Sequence, residues 1–143
     1  MNEDLLRVED VAIEFRVHES VVRAVDGVGF RVRPGSTVAI VGESGSGKSV
    51  VSQAILGILP KTARIAQGRI LFADPKAPGG SIDIATLDPR GERMRKLRAA
   101  GISIVFHRGV AAIDTVFSLP PTAVTRTRAD RKPAEARTFA VSM

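Results

Sequence analysis

A glycine-rich segment at residues 42–49, Gly-Glu-Ser-Gly-Ser-Gly-Lys-Ser, holds the residues of this sequence that are best suited to chemistry. It meets the pattern G-x-x-x-x-G-K-[ST], in which backbone amides of a loop surround phosphate oxygens. Lys48 would supply a positive charge to the outer phosphates, and Ser49 a hydroxyl group to Mg²⁺. The sequence therefore predicts a site for ATP or a similar nucleotide, with Mg²⁺. The predicted phosphate-contacting residues are Gly42, Ser44, Gly45, Ser46, Gly47, Lys48 and Ser49.

The segments on either side of this loop agree with that prediction. The run Thr37–Val41 is short, continuously apolar and β-branched, which is typical of a strand buried on both faces of a parallel sheet. Apolar residues at helical spacing predict a helix from Lys48 to Leu59, ended by Pro60. The positive end of that helix would point at the phosphates. Glu43 lies within the loop and is interpreted as a solvated or subunit-facing charge rather than a catalytic base.

The rest of the sequence predicts the elements around this site. Apolar and polar residues alternate between residues 6 and 32, which indicates a small antiparallel sheet ahead of the loop. Further strands are expected at residues 68–72 and 102–106, and a charged helix at residues 88–99. The predicted fold class is α/β: a core of the P-loop NTPase type, with an incomplete parallel sheet, preceded by an antiparallel β subdomain. Residues 1–119 would form this domain, and residues 120–143 a basic, poorly ordered tail or the remnant of a helical lobe.

Composition limits the possible functions. The 143 residues include no cysteine, which excludes disulfides and thiolate chemistry. No apolar run approaches the roughly 20 residues that span a bilayer, and the N-terminus lacks the form of a signal peptide, so the cytoplasm is expected. The net charge of +6 comes from basic stretches at residues 88–98 and 120–143. No aromatic residues interleave these charges, so they are interpreted as solvated, and nucleic-acid binding is not expected.

The sequence segments around the loop resemble those of the ATP-binding subunits of ABC transporters, most closely the dipeptide/oligopeptide importer type. The resemblance is carried by Val-Asp-Gly-Val-Gly-Phe at 25–30, the loop at 42–49, and Ala-Ile-Leu-Gly-Ile-Leu-Pro at 54–60. Gly68–Phe72 and Arg95–Arg98 extend it. It is dense from about Leu5 to Phe106.

This resemblance implies a role and partners. In such subunits an aromatic residue of the first sheet stacks on adenine, and Phe15 occupies the matching position. The alternative interpretation of Phe15 is a core residue of the sheet, which the resemblance makes the less favoured of the two. Two subunits enclose two ATP molecules, and closure drives membrane-spanning subunits. The chain would thus energise import of peptides or similar solutes, as a peripheral protein at the cytoplasmic face of the inner membrane.

The sequence also departs from the family. His107 stands where the family has a glutamine that touches Mg²⁺ and the attacking water, and it is interpreted as a degraded position. No signature motif of the L-S-G-G-Q type, no apolar strand ending in Asp-Glu and no later switch histidine is found. The family hydrolyses ATP, but this chain, truncated before those motifs, is expected to bind ATP without hydrolysing it.

Two other functions remain open at this point. The chain could be a non-enzymatic fragment that pairs with a full-length ATPase subunit. It could also belong to another P-loop class, such as a kinase or a GTPase. The antiparallel sheet ahead of the loop argues against that second alternative, because most such folds place the loop after their first strand.

Overall fold

The computed structural model describes residues 4–106, 115–119 and 137–141. Eight strands and two α-helices are formed by these residues, with short 3₁₀ turns at Pro78–Gly80 and Ile84–Thr86. In chain order they are β1 (Leu6–Val17), β2 (Ser20–Val32), β3 (Ala39–Ile40), α1 (Lys48–Ile55), β4 (Ala63–Ala73), β5 (Ser81–Asp83), α2 (Glu92–Ala100), β6 (Ser103–Phe106), β7 (Thr115–Leu119) and β8 (Arg137–Val141).

Four of the strands form an antiparallel sheet, sheet A, in the order β2-β1-β4-β5. The antiparallel subdomain expected from the sequence is therefore present, and the strand predicted at residues 68–72 begins earlier, at Ala63. Burial alternates along the start of β1, where Leu6 and Val8 are buried and Arg7 is half-exposed. This alternation is the physical signature that made β1 recognisable in the sequence.

The alternation breaks in the middle of β1. The pairing of β1 shifts register after Val8 on one side and after Glu9 on the other, and Asp10 has a φ of 49°. Opposite this bulge, Gly68 has a φ of 88°, and a Cβ there would lie 2.4 Å from the carbonyl oxygens of Glu9 and Asp10. A glycine is needed because the two backbones approach too closely for any side chain.

A second sheet, sheet B, has the order β3-β8-β7-β6. The β3–β8 pair is parallel, whereas β7 pairs with β8 and with β6 in antiparallel fashion. The strand predicted at residues 102–106 is β6, which begins at Ser103. One strand, β8, comes from the segment 120–143, and the division of the chain at residue 119 stays a prediction. Two sheets with helices confirm the α/β class, but the described parallel pairing is confined to β3 and β8.

The prediction of a strand over Thr37–Val41, buried on both faces, is wrong in its extent and in its burial. The strand β3 is two residues long, Ala39 is exposed, and Val41 is 77% exposed. Within the described residues β3 pairs with β8 alone, through Ala39–Ala140 and Ile40–Val141. An apolar, β-branched run favours a buried strand only where neighbours cover it, and that cover depends on tertiary structure.

The helix α1 ends four residues before the predicted Leu59. Gly57 has a φ of 62°, its amide donates to the carbonyl oxygen of Ala54 (3.0 Å), and the amide of Ile58 donates to that of Gln53 (2.9 Å). These two hydrogen bonds form a Schellman motif, which satisfies the last carbonyl groups of a helix. Gly57, rather than Pro60, therefore terminates α1.

The helix α2 begins later than the predicted Asp88. Residues 88–91 form a turn instead, in which the amide of Gly91 donates to the carbonyl oxygen of Asp88 (2.9 Å) and that of Arg90 to its carboxylate (3.0 Å). Met94 and Leu97 of α2 are buried, and they join one apolar core with residues of α1 and sheet A. Among the described residues, no helix is long and apolar enough to cross a membrane.

Candidate functional site

The glycine-rich loop connects β3 to α1. Its turn is closed by a hydrogen bond from the amide of Ser46 to the carbonyl oxygen of Glu43 (3.2 Å). Gly47 is the N-cap of α1 and has a φ of 91°, and no side chain caps the helix there. The strand–loop–helix arrangement predicted from the sequence is thus present, with the positive end of α1 directed into the loop.

The ammonium group of Lys48 lies inside this loop. It donates to the carbonyl oxygens of Gly42 (2.8 Å) and Glu43 and to Oγ of Ser46 (2.9 Å). Lys48 is only 5% exposed, which is unusual for a lysine. The loop therefore closes around a buried positive charge whose three partners are neutral oxygens.

Two glycines of the loop occupy positions where a side chain would collide. A Cβ on Gly42 would lie 2.8 Å from Oγ of Ser46, and one on Gly47 would lie 2.9 Å from the carbonyl oxygen of Ala24 and from Cγ2 of Val25. Gly45 differs, because its φ is 81° but nothing lies within 4 Å of a Cβ there. The absence of a side chain at Gly42 and Gly47 therefore allows close packing of the loop, whereas Gly45 is needed only for its positive φ.

The serines of the loop have different surroundings. Ser44 is exposed, while Ser46 is held by the ammonium group of Lys48. Ser49 is half-buried in the first turn of α1, and Ser52 is buried one turn later, donating to the carbonyl oxygen of Lys48 (3.2 Å). The predicted phosphate-contacting residues are thus gathered in one loop and the helix turn that follows it.

The structure places Phe15 on β1 near the loop. Gly47 packs on the backbone of β2 at Ala24 and on Val25, and Val25 pairs with Ile13 of β1. Phe15 lies two residues beyond Ile13, about 7 Å along the strand. It is half-buried and packs against the apolar core. Both interpretations of Phe15 made from the sequence, base stacking and core packing, fit this position.

Glu14, beside Phe15, joins two arginines of the neighbouring strands. Its carboxylate accepts hydrogen bonds from Arg23 of β2 (3.0 Å) and from Arg64 of β4 (2.9 Å). Two hydrogen bonds hold the pKa of Glu14 below its ordinary value of about 4.5. The bond from Arg23 has the larger effect and the bond from Arg64 the smaller. These ion pairs tie the three strands together close to Phe15.

Arg98 is a supporting residue that the sequence analysis did not identify. Its guanidinium group donates to the carbonyl oxygens of Leu56 and Gly57 at the end of α1 (both 3.2 Å), and to that of Pro89 (2.9 Å). In the sequence Arg98 is one of several basic residues of α2, and no local pattern distinguishes it. Its role follows from the packing of α2 against α1.

Metal ligation was predicted for Ser49 alone among the side chains. In the described part of the chain, no three His, Asp or Glu side chains are grouped so that they could hold a metal ion. His107 lies outside the described residues.

The comparisons with known proteins agree on one family. The family model "ABC transporter" matches residues 25–132, which is more than half of the chain and includes the glycine-rich loop. The chain therefore belongs to the ABC transporter family.

The relatives are of the type that the sequence resemblance indicated. The chain is 38% identical over 118 residues to the "Dipeptide transport ATP-binding protein DppD" of Bacillus subtilis (strain 168), covering 82% of this chain and 32% of that protein. It is 39% identical over 119 residues to the "Oligopeptide transport ATP-binding protein OppD" of the same organism, covering 82% and 29%. The resemblance to dipeptide and oligopeptide transport ATP-binding proteins is confirmed, and the chain spans about a third of their length.

Solved structures support the fold. A dimeric bacterial ABC transporter cassette matches with a TM-score of 0.53 and 23% identity, covering 68% of this chain and 36% of that one. A cassette described as a post-hydrolysis state bound to ADP and phosphate matches with a TM-score of 0.52 and 22% identity, covering 67% and 36%. At these identities the likeness establishes the fold alone, over about two thirds of this chain.

Proposed function

We propose that this chain binds ATP with Mg²⁺ through the loop at residues 42–49, as part of an ABC transporter ATP-binding subunit that energises the import of peptides or similar solutes. The observation that carries this proposal is the buried ammonium group of Lys48, which is held by neutral oxygens. Among the ion pairs of the described residues, none involves Lys48.

A buried charge is costly unless an opposite charge compensates it. The carbonyl and hydroxyl oxygens around Lys48 satisfy its donors but leave its charge uncompensated. A phosphate oxyanion is a stronger acceptor than any of the three, because hydrogen bonds between charged partners are roughly twice as strong as neutral ones. The ammonium group would exchange loop oxygens for phosphate oxygens, so the loop is suited to an anionic ligand.

The residues of the loop fit the rest of the ligand. Backbone amides of Ser44 through Ser49 would bind the phosphates together with the positive end of α1. The hydroxyl group of Ser49 would hold Mg²⁺, which supplies neutralisation of the phosphate charge when it is bound. Phe15 would stack on the base through its ring, which offers area but no hydroxyl group.

Hydrolysis and transport would require more than the residues of this chain. The sequence contains no signature motif and no apolar strand ending in Asp-Glu. We therefore propose that the 143-residue chain alone binds ATP without turning it over. In a transporter, a second ATP-binding subunit and membrane-spanning subunits would be its partners, at the cytoplasmic face of the inner membrane.

A thermal melt with and without Mg-ATP tests ATP binding. A ligand that binds only the folded state stabilises it by about 2.7 kcal/mol at a hundredfold excess over Kd. Mg-ATP should raise the Tm of the unmodified chain and leave that of Lys48→Ala unmoved. Lys76→Ala removes an exposed lysine elsewhere and should keep the full shift. The proposal fails if Lys48→Ala retains the shift, or if the folded, unmodified chain shows none.

A second candidate function, pairing with a complete ATPase subunit without catalysis, has one observation in its favour. Val41 is 77% exposed directly ahead of the loop, beside the short strand β3. Among the described strands β3 lies at the edge of sheet B, and an edge strand is a template for pairing with another chain. Co-expression with a complete homologous subunit would test this: co-purification that Val41→Asp abolishes supports pairing, and co-purification that Val41→Asp leaves unchanged argues against a contact at this strand.

A further inference from the structure

A hollow of about 440 Å³ lies on sheet A, at the end where β1 and β2 form their hairpin and where β4 begins. Its lining contains the basic side chains of Arg16, Lys61 and Arg64, together with His18, Glu14 and Val21. The proposed nucleotide site uses none of these residues. The hollow is therefore a separate feature of the molecule.

The charge of this hollow is positive. Arg16, Lys61 and Arg64 bring three positive charges to the lining and Glu14 brings one negative charge, which leaves a net charge of +2 before His18 is counted. The carboxylate of Glu14 is already paired with Arg64 (2.9 Å) and with Arg23 outside the lining (3.0 Å). It therefore does not neutralise the other two cations.

The paired strands fix where Arg16 and Arg64 are attached along the sheet. The amide of Arg16 donates to the carbonyl oxygen of Thr62 (2.8 Å), and Glu14 lies directly opposite Arg64 in the β1–β4 register. Arg16 and Lys61 are exposed, and neither takes part in an ion pair of the described residues. Their donors are thus available on a surface that three paired strands hold in shape.

We propose that this hollow binds a phosphate-bearing ligand. The planar donors of arginine match phosphate oxygens in pairs, and a lysine adds a point charge. A volume of about 440 Å³ admits a small phosphorylated molecule. Side chains alternate along a strand, so Glu14 and Arg16 project from the face of β1 opposite to Phe15. The ligand would therefore bind behind the strand that carries Phe15, without entering the glycine-rich loop.

The ligand could be a soluble phosphorylated molecule or the headgroup of a lipid. Val17 and Val22, at the hairpin beside the hollow, are 48% and 51% exposed, and Val21 in the lining is 56% exposed. Exposed apolar side chains beside basic ones are also found on surfaces that contact anionic lipid. Both sources offer the same phosphate oxygens, so the experiment needs an arm for each.

The soluble arm is an NMR titration of the ¹⁵N-labelled chain with tripolyphosphate. Amide shifts are expected at residues 14–21 and 61–64, and they are recorded separately from shifts at residues 42–49, where the glycine-rich loop would respond. The double variant Arg16→Gln/Lys61→Gln should weaken binding at the hollow about tenfold, because it removes two of its three positive charges. The matched control Arg33→Gln/Lys76→Gln removes two exposed charges outside the lining and should keep the affinity.

The lipid arm measures sedimentation of the chain with phosphatidylcholine vesicles that contain phosphatidic acid. Binding in both arms that Arg16→Gln/Lys61→Gln weakens would identify a lipid headgroup as a ligand, and binding of tripolyphosphate alone would identify a soluble one. The proposal is overturned if neither probe shifts residues 14–21 and 61–64 or sediments the chain. An equal loss of affinity in the control variant would also overturn it, because the attraction would then be a property of overall charge.

Discussion

The guanidinium group of Arg98 donates hydrogen bonds to the carbonyl oxygen of Gly57, 3.2 Å away, and to that of Leu56, at the point where α1 ends. A cation at this position compensates the negative end of the helix whose positive end faces the glycine-rich loop. On the same side, the side chain of Met94 packs against Gly57, at 3.1 Å from where a Cβ would lie. Through these contacts α2 holds the far end of α1 and thereby supports the loop.

Replacing Arg98 with alanine should lower the free energy of unfolding by about 1–2 kcal/mol, because hydrogen bonds from a charged group to the carbonyl groups of a helix end are lost. Urea denaturation would measure this change. Arg95→Ala, on the exposed side of the same helix, is the control and should change stability by less than about 0.5 kcal/mol. Equal effects of the two substitutions would show that the contact with α1 contributes nothing.

Replacing Gly47 with alanine should destabilise the chain more than replacing Gly45. Both glycines have positive φ, which costs an alanine about 1–2 kcal/mol. At Gly47 the added Cβ also meets Ala24 and Val25 at 2.9 Å, which adds about 1–3 kcal/mol of overpacking, whereas at Gly45 it meets nothing within 4 Å. Denaturation of both variants without nucleotide tests this order, and equal losses would mean that the loop does not pack on β2.

Replacing Glu14 with glutamine should destabilise the chain at neutral pH and have less effect in acid. Hydrogen bonds from Arg23, which has the larger effect, and from Arg64 lower the pKa of Glu14. The ionised form of Glu14 is therefore favoured in the folded state. The stabilisation is complete above the ordinary pKa of about 4.5 and is lost as the pH falls through the lower, folded-state pKa. Melting the unmodified chain and Glu14→Gln between pH 7 and pH 3 should show their Tm values converging.

The control for this pH dependence is Glu19→Gln, because Glu19 is exposed in the turn after β1. Its Tm should stay close to that of the unmodified chain over the same range. A difference between the unmodified chain and Glu14→Gln that stays constant down to pH 3 would contradict the assignment of the effect to ionised Glu14.

Local patterns in the sequence predicted much of the fold and of the candidate site. The alternation that begins at Leu6 specified the antiparallel sheet, because a half-buried strand needs this period of two. The glycine-rich loop, its lysine and the start of α1 at Lys48 were also determined locally, because glycines in the loop can adopt positive φ whatever surrounds them. The ABC transporter family itself could be recognised from the sequence segments around this loop.

Tertiary structure decided the rest. The burial of Thr37–Val41 depends on neighbouring strands, so an apolar run alone could not reveal that Val41 is exposed. The end of α1 was decided by the left-handed conformation of Gly57, which Met94 and Arg98 cover from another helix. The basic hollow joins residues 14–21 to residues 61–64, which are distant in sequence and meet only because β1 pairs with both β2 and β4. Contacts of this kind leave no periodic trace in a sequence, because each depends on which elements pack together.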